Sequence, residues 1–276
     1  MSTAFYLAKA GGTRARSAAW FMRTRGRLDT SGLRILFYHR VSDDRDELAV
    51  GPKSFAAQME YLASEAYRVV DVVSAIDLLD SGEPLARTVA LSFDDGYLDV
   101  AEHALPILSE RGFSATVFVA PAVTDGRAAF GWYAEQPPLL DWDDIGELDR
   151  DGTLRFEAHS LTHPNLPALS VSAARQEIAG AKRELENRLG RVVQALSYPS
   201  GLFGQREERL AAEAGYRIAV SCEPGVNDRL TDHFALRRRQ VYPRDSLLDF
   251  RAKIGGGHDT SPPLRGLYRR LRYSAG

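Results

Sequence analysis

From residue 33 onward the chain alternates between two hydrophobic rhythms. Short runs rich in β-branched and aromatic residues read as strands: LRILFY (33–38), YRVVDV (67–72), TVALSF (88–93), SATVFVA (114–120), TLRFEA (153–158), VVQALSY (192–198) and YRIAVS (216–221). Between them, apolar positions recur every three or four residues, which predicts helices over 54–66, 74–81, 99–111, 142–150, 172–189 and 205–214. The helix over 172–189 has the plainest stripe (Ala174, Ile178, Ala181, Leu185 and Leu189), with Gly190 as its stop signal. Ser54 and Asp99 are the expected N-caps of the two helices that begin beside them.

Alternating strands and helices imply a parallel sheet, either open or closed into a barrel. In both forms the reacting groups belong at the carboxyl ends of the strands. His39 follows the first strand, Asp94 and Asp95 the third, His159 and His163 the fifth, and Pro199, Ser200 and Gly201 the sixth. In EAHSLTHPNL, Pro164 and Pro167 favour a strand-end loop over a helix that would align the two imidazoles. Two histidines and one carboxylate make a set of three protein ligands with positions left open, as in hydrolytic zinc sites. The bland alternative is a chance pair, one of them an ordinary satisfied polar residue.

The stretch SFDDGY weighs against chance. Two adjacent carboxylates at the edge of a core are costly unless something pairs with them. One can bind a cation while its neighbour takes a proton from water held there. Successive side chains of a strand point to opposite faces, so the backbone must bend for both to serve one site, and Gly96 permits that bend. An ordinary Asp-Gly turn explains the glycine but not the histidines on the same rim.

At 276 residues, 44% hydrophobic and 26% charged, the chain suits one large soluble α/β domain with extensions. Its one cysteine, Cys222, excludes an internal disulfide framework and a cysteine-based metal cage. Residues 1–30 carry six basic side chains against one acidic, as do residues 251–276, so a net charge of −2 leaves −12 on residues 31–250. An acidic body with basic ends argues against a nucleic-acid-binding domain. The expected organisation is a basic N-terminal extension (1–30), a catalytic domain (31–250) and a flexible basic tail (251–276) entered through GGGHDTSPP. The ends read as solvated, partly disordered arms, or as contacts for anionic lipid, with AAWFM (18–22) lying flat on a membrane surface. Without a clear export signal or a span-length apolar run, the expected location is the cytoplasm or the inner membrane surface.

SFDDGY resembles the first motif of the NodB-type polysaccharide deacetylases, carbohydrate esterase family 4, and HSLTH resembles their second. ALSYPSG resembles the third, and the likeness runs over roughly 33–245 in motif order. The resemblance implies a distorted (β/α)7 barrel and metal-dependent removal of N- or O-acetyl groups from sugars. It assigns Asp94 as general base and Asp95, His159 and His163 as metal ligands. Zinc fits the imidazole ligands best, with cobalt, nickel and manganese as alternatives. Ser197 stands where the third motif opens with arginine, and Ser200 stands where an aromatic usually precedes the glycine. No late Leu-x-His motif follows. LRILFYHRV instead resembles the first strand of a circularly permuted subgroup, similar to bacterial poly-N-acetylglucosamine deacetylases, which carries the acid role to His39. The LRRRQVYP segment resembles that subgroup's last strand, and Arg238 is its candidate for the missing arginine beside Asp94.

The backbone N–H of Ser200 is the expected oxyanion donor, with Tyr198 beside it in the same motif. If His39 is the acid, a nearby carboxylate should keep it charged. His233 is the second choice for that role, His103 reads as structural, and His258 falls in the tail. Trp142 is a candidate stacking platform for sugar, although packing at a helix start accounts for it better. The expected partner is an N-acetylated carbohydrate. Two other readings are a weakened carbohydrate-binding protein on the same fold and an amidase acting on a small cyclic amide.

Overall fold

The computed structural model describes residues 3–27, 29 and 31–259. Seven parallel strands form the frame: β1 (Arg34–Tyr38), β5 (Thr88–Asp94), β6 (Ala115–Val119), β7 (Leu154–Ala158), β8 (Ala195–Ser197), β9 (Ile218–Val220) and β10 (Arg238–Gln240). They lie in the order β10-β1-β5-β6-β7-β8-β9, and a parallel bridge from Val220 to Leu236 brings β9 to the segment entering β10. The result is a nearly closed (β/α)7 barrel. Six of the seven strand runs read from the sequence enter it. The seventh, β4 (Arg68–Val70), lies off the ring, pairing with the first half of the β5 edge whose second half pairs with β6, and β10, absent from the strand runs, pairs with the far edge of β1. A short parallel pair, β2 (Arg40–Val41) and β3 (Ala49–Val50), lies above β1.

Alternation along each strand sorts the core into two layers. Leu36, Leu91, Phe93, Val117 and Phe156 face the helices, whereas Ile35, Ala90, Phe118, Ala195 and Ile218 fill the barrel interior. The inner layer is closed at the amino ends of the strands by α3 (Val72–Ser81) through Val72, Ile76 and Leu79. Ser92, Asp94 and Ser197 share the inward register of Ala90 and Ala195, so polar groups replace apolar ones as the interior approaches the carboxyl rim.

Outside lie α2 (Pro52–Ser64), α4 (Leu105–Glu110), the short α5 (Pro121–Thr124), α6 (Trp142–Asp151), α7 (Val171–Leu189) and α8 (Gln205–Glu213). Two expected caps differ. Gly51 caps α2, because Pro52 suits the first helical position and starts the helix before Ser54. Asp99 makes no capping bond; it accepts from Arg40 Nε at 2.8 Å and from the Val41 amide at 3.1 Å. The helix expected over 99–111 opens with a π turn, Val100–Ala104, where Pro106 lacks the N–H that a regular turn requires.

The ends depart furthest from expectation. Residues Thr3–Thr24 form helix α1, which docks on α9 (Leu247–Ile254). Trp20 is buried there and its Nε1 donates to the Gly255 carbonyl at 3.2 Å, so of the AAWFM patch only Phe21 and Met22 keep large exposed surfaces. His258, expected in a flexible tail, is 3% exposed, with its Nε2 3.0 Å from Ser17 Oγ. The Ser17 hydroxyl donates to Asp249 Oδ1 at 2.6 Å. Residues 251–259 therefore complete α9 and a packed turn, whereas the rest of the expected tail, 260–276, lies outside the described residues. Among the described residues no helix is long and apolar enough to cross a membrane.

Candidate metal centre

The bend required after β5 is present. Asp95 and Gly96 both adopt left-handed backbone, with φ of 77° and 74°. That conformation is costly for an aspartate and natural for glycine. A Cβ on Gly96 would also come within 2.7 Å of Val119 Cγ1. The turn lets Asp94 stay inside the barrel while Asp95 swings onto the rim. Backbone strain recurs around this rim: of the seven non-glycine residues with positive φ among the described residues, four are Asp95, Ser160, His163 and Ser200. Such clustering marks a site whose surroundings hold it in place.

Asp95 Oδ1 lies 3.6 Å from His159 Nε2 and 3.8 Å from His163 Nε2. These three ligand atoms sit within 4.8 Å of one another. Histidines 159 and 163 come from the loop after β7, which is not helical, as the prolines predict. Glu177 of α7 pins that loop by accepting from the Leu161 and Thr162 amides and from the Thr162 hydroxyl, at 2.7 to 3.0 Å. His159 Nδ1 lies 2.7 Å from the Ser197 carbonyl, which can only accept, so Nδ1 carries the proton and Nε2 presents its lone pair to Asp95.

The carboxylate itself provides the test of fit for a metal. Tyr97 donates to Asp95 Oδ2 at 3.3 Å, but buried Oδ1 has no hydrogen-bond partner among the described residues. Burial and the charge of Asp94 push its pKa well above the ordinary carboxylate value. Burial lowers the pKa of both imidazoles, which favours the neutral form that binds metal. An unpartnered oxygen facing two imidazole lone pairs suits a divalent cation, whose charge would reverse the penalty on Asp95.

Asp94 is held quite differently. Arg238 donates to both of its oxygens, Nη1 to Oδ1 at 2.6 Å and Nη2 to Oδ2 at 2.8 Å. The guanidinium is fully buried; it also donates to Ser197 Oγ at 2.8 Å and to the Ser221 carbonyl at 3.0 Å, and it lies over the Phe37 ring. Ser197 therefore leaves room for an arginine arriving from another strand. Burial works against charge on Asp94, but Arg238 and His159 overcome it and bring the pKa to about 2.

His39 joins this group at the end of β1, but the nearby carboxylate of Asp94 does not keep it charged as expected. Its Nδ1 faces the Gln240 side-chain amide at 3.5 Å. Burial lowers its pKa to about 4 despite the opposing pull of Asp94, so the free imidazole is neutral at pH 7. His233 lies elsewhere, its Nε2 3.2 Å from Asp80 of α3, and His103 is exposed on its helix. Ser200 is exposed in the loop after β8, and Gly201 beside it would place a Cβ 2.5 Å from the Cys222 amide nitrogen. Tyr198 is fully buried, stacked on Phe203, with its hydroxyl donating to the Phe234 carbonyl at 3.0 Å, so it supports the loop from beneath.

Trp142 packs as a helix-start residue. Its Nε1 donates to Asp125 and Arg188 lies over its ring at 4.8 Å. The tryptophan beside the metal-ligand candidates is Trp132, whose ring centre is 5.0 Å from that of His163. The sequence signal for it is the run Phe130, Gly131, Trp132 and Tyr133, which puts three aromatics into four residues of one loop.

A parallel barrel with an Asp-His-His set and a separately held carboxylate on its carboxyl rim has the layout of a hydrolase. The polysaccharide deacetylase family model matches residues 81–219. The Bacillus subtilis protein YxkH is 29% identical over 223 residues, covering 80% of this chain and 76% of its own. The Staphylococcus aureus poly-β-1,6-N-acetyl-D-glucosamine N-deacetylase is 20% identical over 206 residues, covering 70% and 69%. Streptococcus pyogenes deacetylase PplD, solved with acetate, has the same fold, with a TM-score of 0.71 at 24% identity over 82% of this chain and 99% of its own. The chain belongs to the polysaccharide deacetylase family. It is a hydrolase of carbon–nitrogen bonds other than peptide bonds.

Proposed function

We propose that this enzyme removes N-acetyl groups from a bacterial glucosamine-containing polysaccharide, oligosaccharide or lipid-linked sugar, using a divalent metal. The observation that carries the reading is the division of labour between two neighbouring carboxylates: Asp95 has an unpartnered oxygen facing His159 and His163, while Asp94 is clamped by Arg238. The kinship with an N-acetylglucosamine polymer deacetylase supports the substrate class.

Asp95, His159 and His163 would hold the metal, most suitably zinc. When bound, it supplies a Lewis acid that polarises the acetyl carbonyl and acidifies water. Asp94, ionised throughout the physiological range, accepts the proton of the attacking water as the new C–O bond forms. Arg238 fixes the direction of that carboxylate through its two parallel bonds. The backbone N–H of Ser200 would donate to the oxygen that gains charge. His39, neutral in the free enzyme, takes a proton from solvent once substrate is bound and passes it to the departing nitrogen as the C–N bond breaks, giving acetate and a free amine. Negative charge building on the substrate raises the imidazole's affinity for that proton when it is needed.

Acetate release should be measured with zinc or cobalt present on poly-N-acetylglucosamine fragments, chitin oligomers, acetylated xylan and cyclic ureides. Release from the glucosamine polymers, accompanied by free amine, is the expected result. Turnover of ureides alone, or of acetylated xylan alone, would overturn the reading. A catalytically weakened binding protein gains no support from Ser197, because Arg238 fills the position that the third motif lacks.

A further inference from the structure

The exposed aromatic residue beside the metal-ligand candidates is built into a loop tied down at several points. The backbone of the loop ending at Leu140 pairs with the Asp95–Gly96 turn itself: Leu140 N donates to the Gly96 carbonyl and Leu98 N to the Pro138 carbonyl, both at 3.0 Å. A bridge between Tyr97 and Leu139 completes this join. Further along, the Tyr133 hydroxyl donates to Asp46 at 2.6 Å, which ties the loop to the segment after β2. Within it, the Phe130 amide donates to the Gln136 side chain at 2.9 Å.

Trp132 is the residue this framework presents outward. One face stacks on Phe130, with ring centres 4.6 Å apart and planes inclined by 21°, and Phe130 is only 3% exposed. Its ring also meets His163 edge-on. Yet Trp132 itself is 47% exposed. An indole held from behind by a buried ring and left open in front loses little conformational freedom on binding, which is how an aromatic gives contact area at low entropic cost. Its apolar face matches the C–H face of a sugar ring.

We propose that Trp132 is a stacking platform for a pyranose ring of an N-acetylhexosamine chain, beside the group being deacetylated, and that it sets the enzyme's preference for oligosaccharides over small acetyl compounds. This rests on the deacetylase reading above and deepens it. The alternative is that Trp132 merely shields His163, and the two roles separate experimentally. If the residue is a shield, its removal disturbs zinc retention and every substrate alike. If it is a platform, only sugar binding suffers.

The test uses the zinc-loaded full chain and chitopentaose. Binding is measured calorimetrically in the Asp94→Asn background, where turnover does not interfere, with and without Trp132→Ala. Trp132→Ala is expected to weaken binding about 3- to 10-fold, from the loss of one aromatic stacking contact, and Trp132→Phe to restore most of it. In the Asp94-intact enzyme, Trp132→Ala should raise KM for chitopentaose while kcat, zinc content and hydrolysis of 4-nitrophenyl acetate stay unchanged. Equal chitopentaose affinity with and without the indole would overturn the platform, as would a parallel loss of zinc and ester hydrolysis. If neither background bound the oligosaccharide and acetate release occurred only from non-sugar amides, the deacetylase reading would fail, and the platform with it.

Discussion

The α1–α9 junction and the barrel rim each bury an aspartate with histidine, yet only the junction is chemically complete. At the junction, Asp249 accepts from Ser17 through one oxygen and from the Ser246 hydroxyl and amide through the other, and His258 adds its ring nitrogen to Ser17. At the rim, Asp95 keeps an oxygen without a partner among the described residues, on strained backbone, beside a second carboxylate. The difference teaches how to sort buried polar clusters. A cluster whose valences are filled by the protein holds the fold together; an unfilled carboxylate oxygen facing two imidazoles has the layout of a cation site.

The largest effect should come from Asp95→Asn. The variant should fall from about one zinc per chain to almost none, and acetate release should drop to background, checked by elemental analysis and assay. Its melting temperature should equal or exceed that of zinc-stripped wild type, because a buried, unpartnered carboxylate has been removed. A variant that melted well below zinc-stripped wild type would mean that Asp95 is a structural member like Asp249.

His39→Ala comes next, with turnover of an N-acetyl sugar expected to fall roughly 10²–10⁴-fold. Hydrolysis of 4-nitrophenyl acetate should fall far less, since its phenolate leaves without a proton. Equal losses on both would remove His39 from the acid role.

The junction gives the smallest effects, and they run the other way. Ser17→Ala should cost about 1–3 kcal/mol of stability by stranding buried partners, with zinc content and kcat unchanged. Burial, with Lys253 and Arg239 nearby, lowers the pKa of His258 from 6.5 to about 3. A histidine held neutral in the fold binds fewer protons there than when unfolded, so stability is full above pH 6.5 and is lost as pH falls toward 3. Denaturant titrations across that range should show the slope, and His258→Gln should flatten it. An unchanged slope in that variant would assign the acid sensitivity elsewhere.

Much of the rim was legible because local signals carry it. SFDDGY and HSLTH each sit at a strand end within a few residues, and the prolines after His163 correctly excluded a helix. What escaped depends on distant partners. Nothing local tells that β4 is left outside the ring, since its apolar run looks like any other; β6, distant in sequence, takes the rest of the β5 edge that β4 shares. His258 looks like a tail residue until α1 arrives to cover it. The stacking role was sought at Trp142, where a helix start captures the indole through Asp125 and Arg188, while Trp132 lay in a loop whose stiffness comes from backbone pairing with the Asp95 turn.

The clamp on Asp94 also has a bearing on synthesis. Asp94 and all three metal-ligand candidates leave the ribosome well before Arg238, which follows Asp94 by 144 residues. A growing chain that has reached β9 therefore already contains the cation site, but its base sits unneutralised in the barrel and the edge of β1 is bare. Maturation of the active site and closure of the ring are the same event, completed by one late-arriving strand, so a fragment cut short before β10 would be expected to carry metal affinity without turnover.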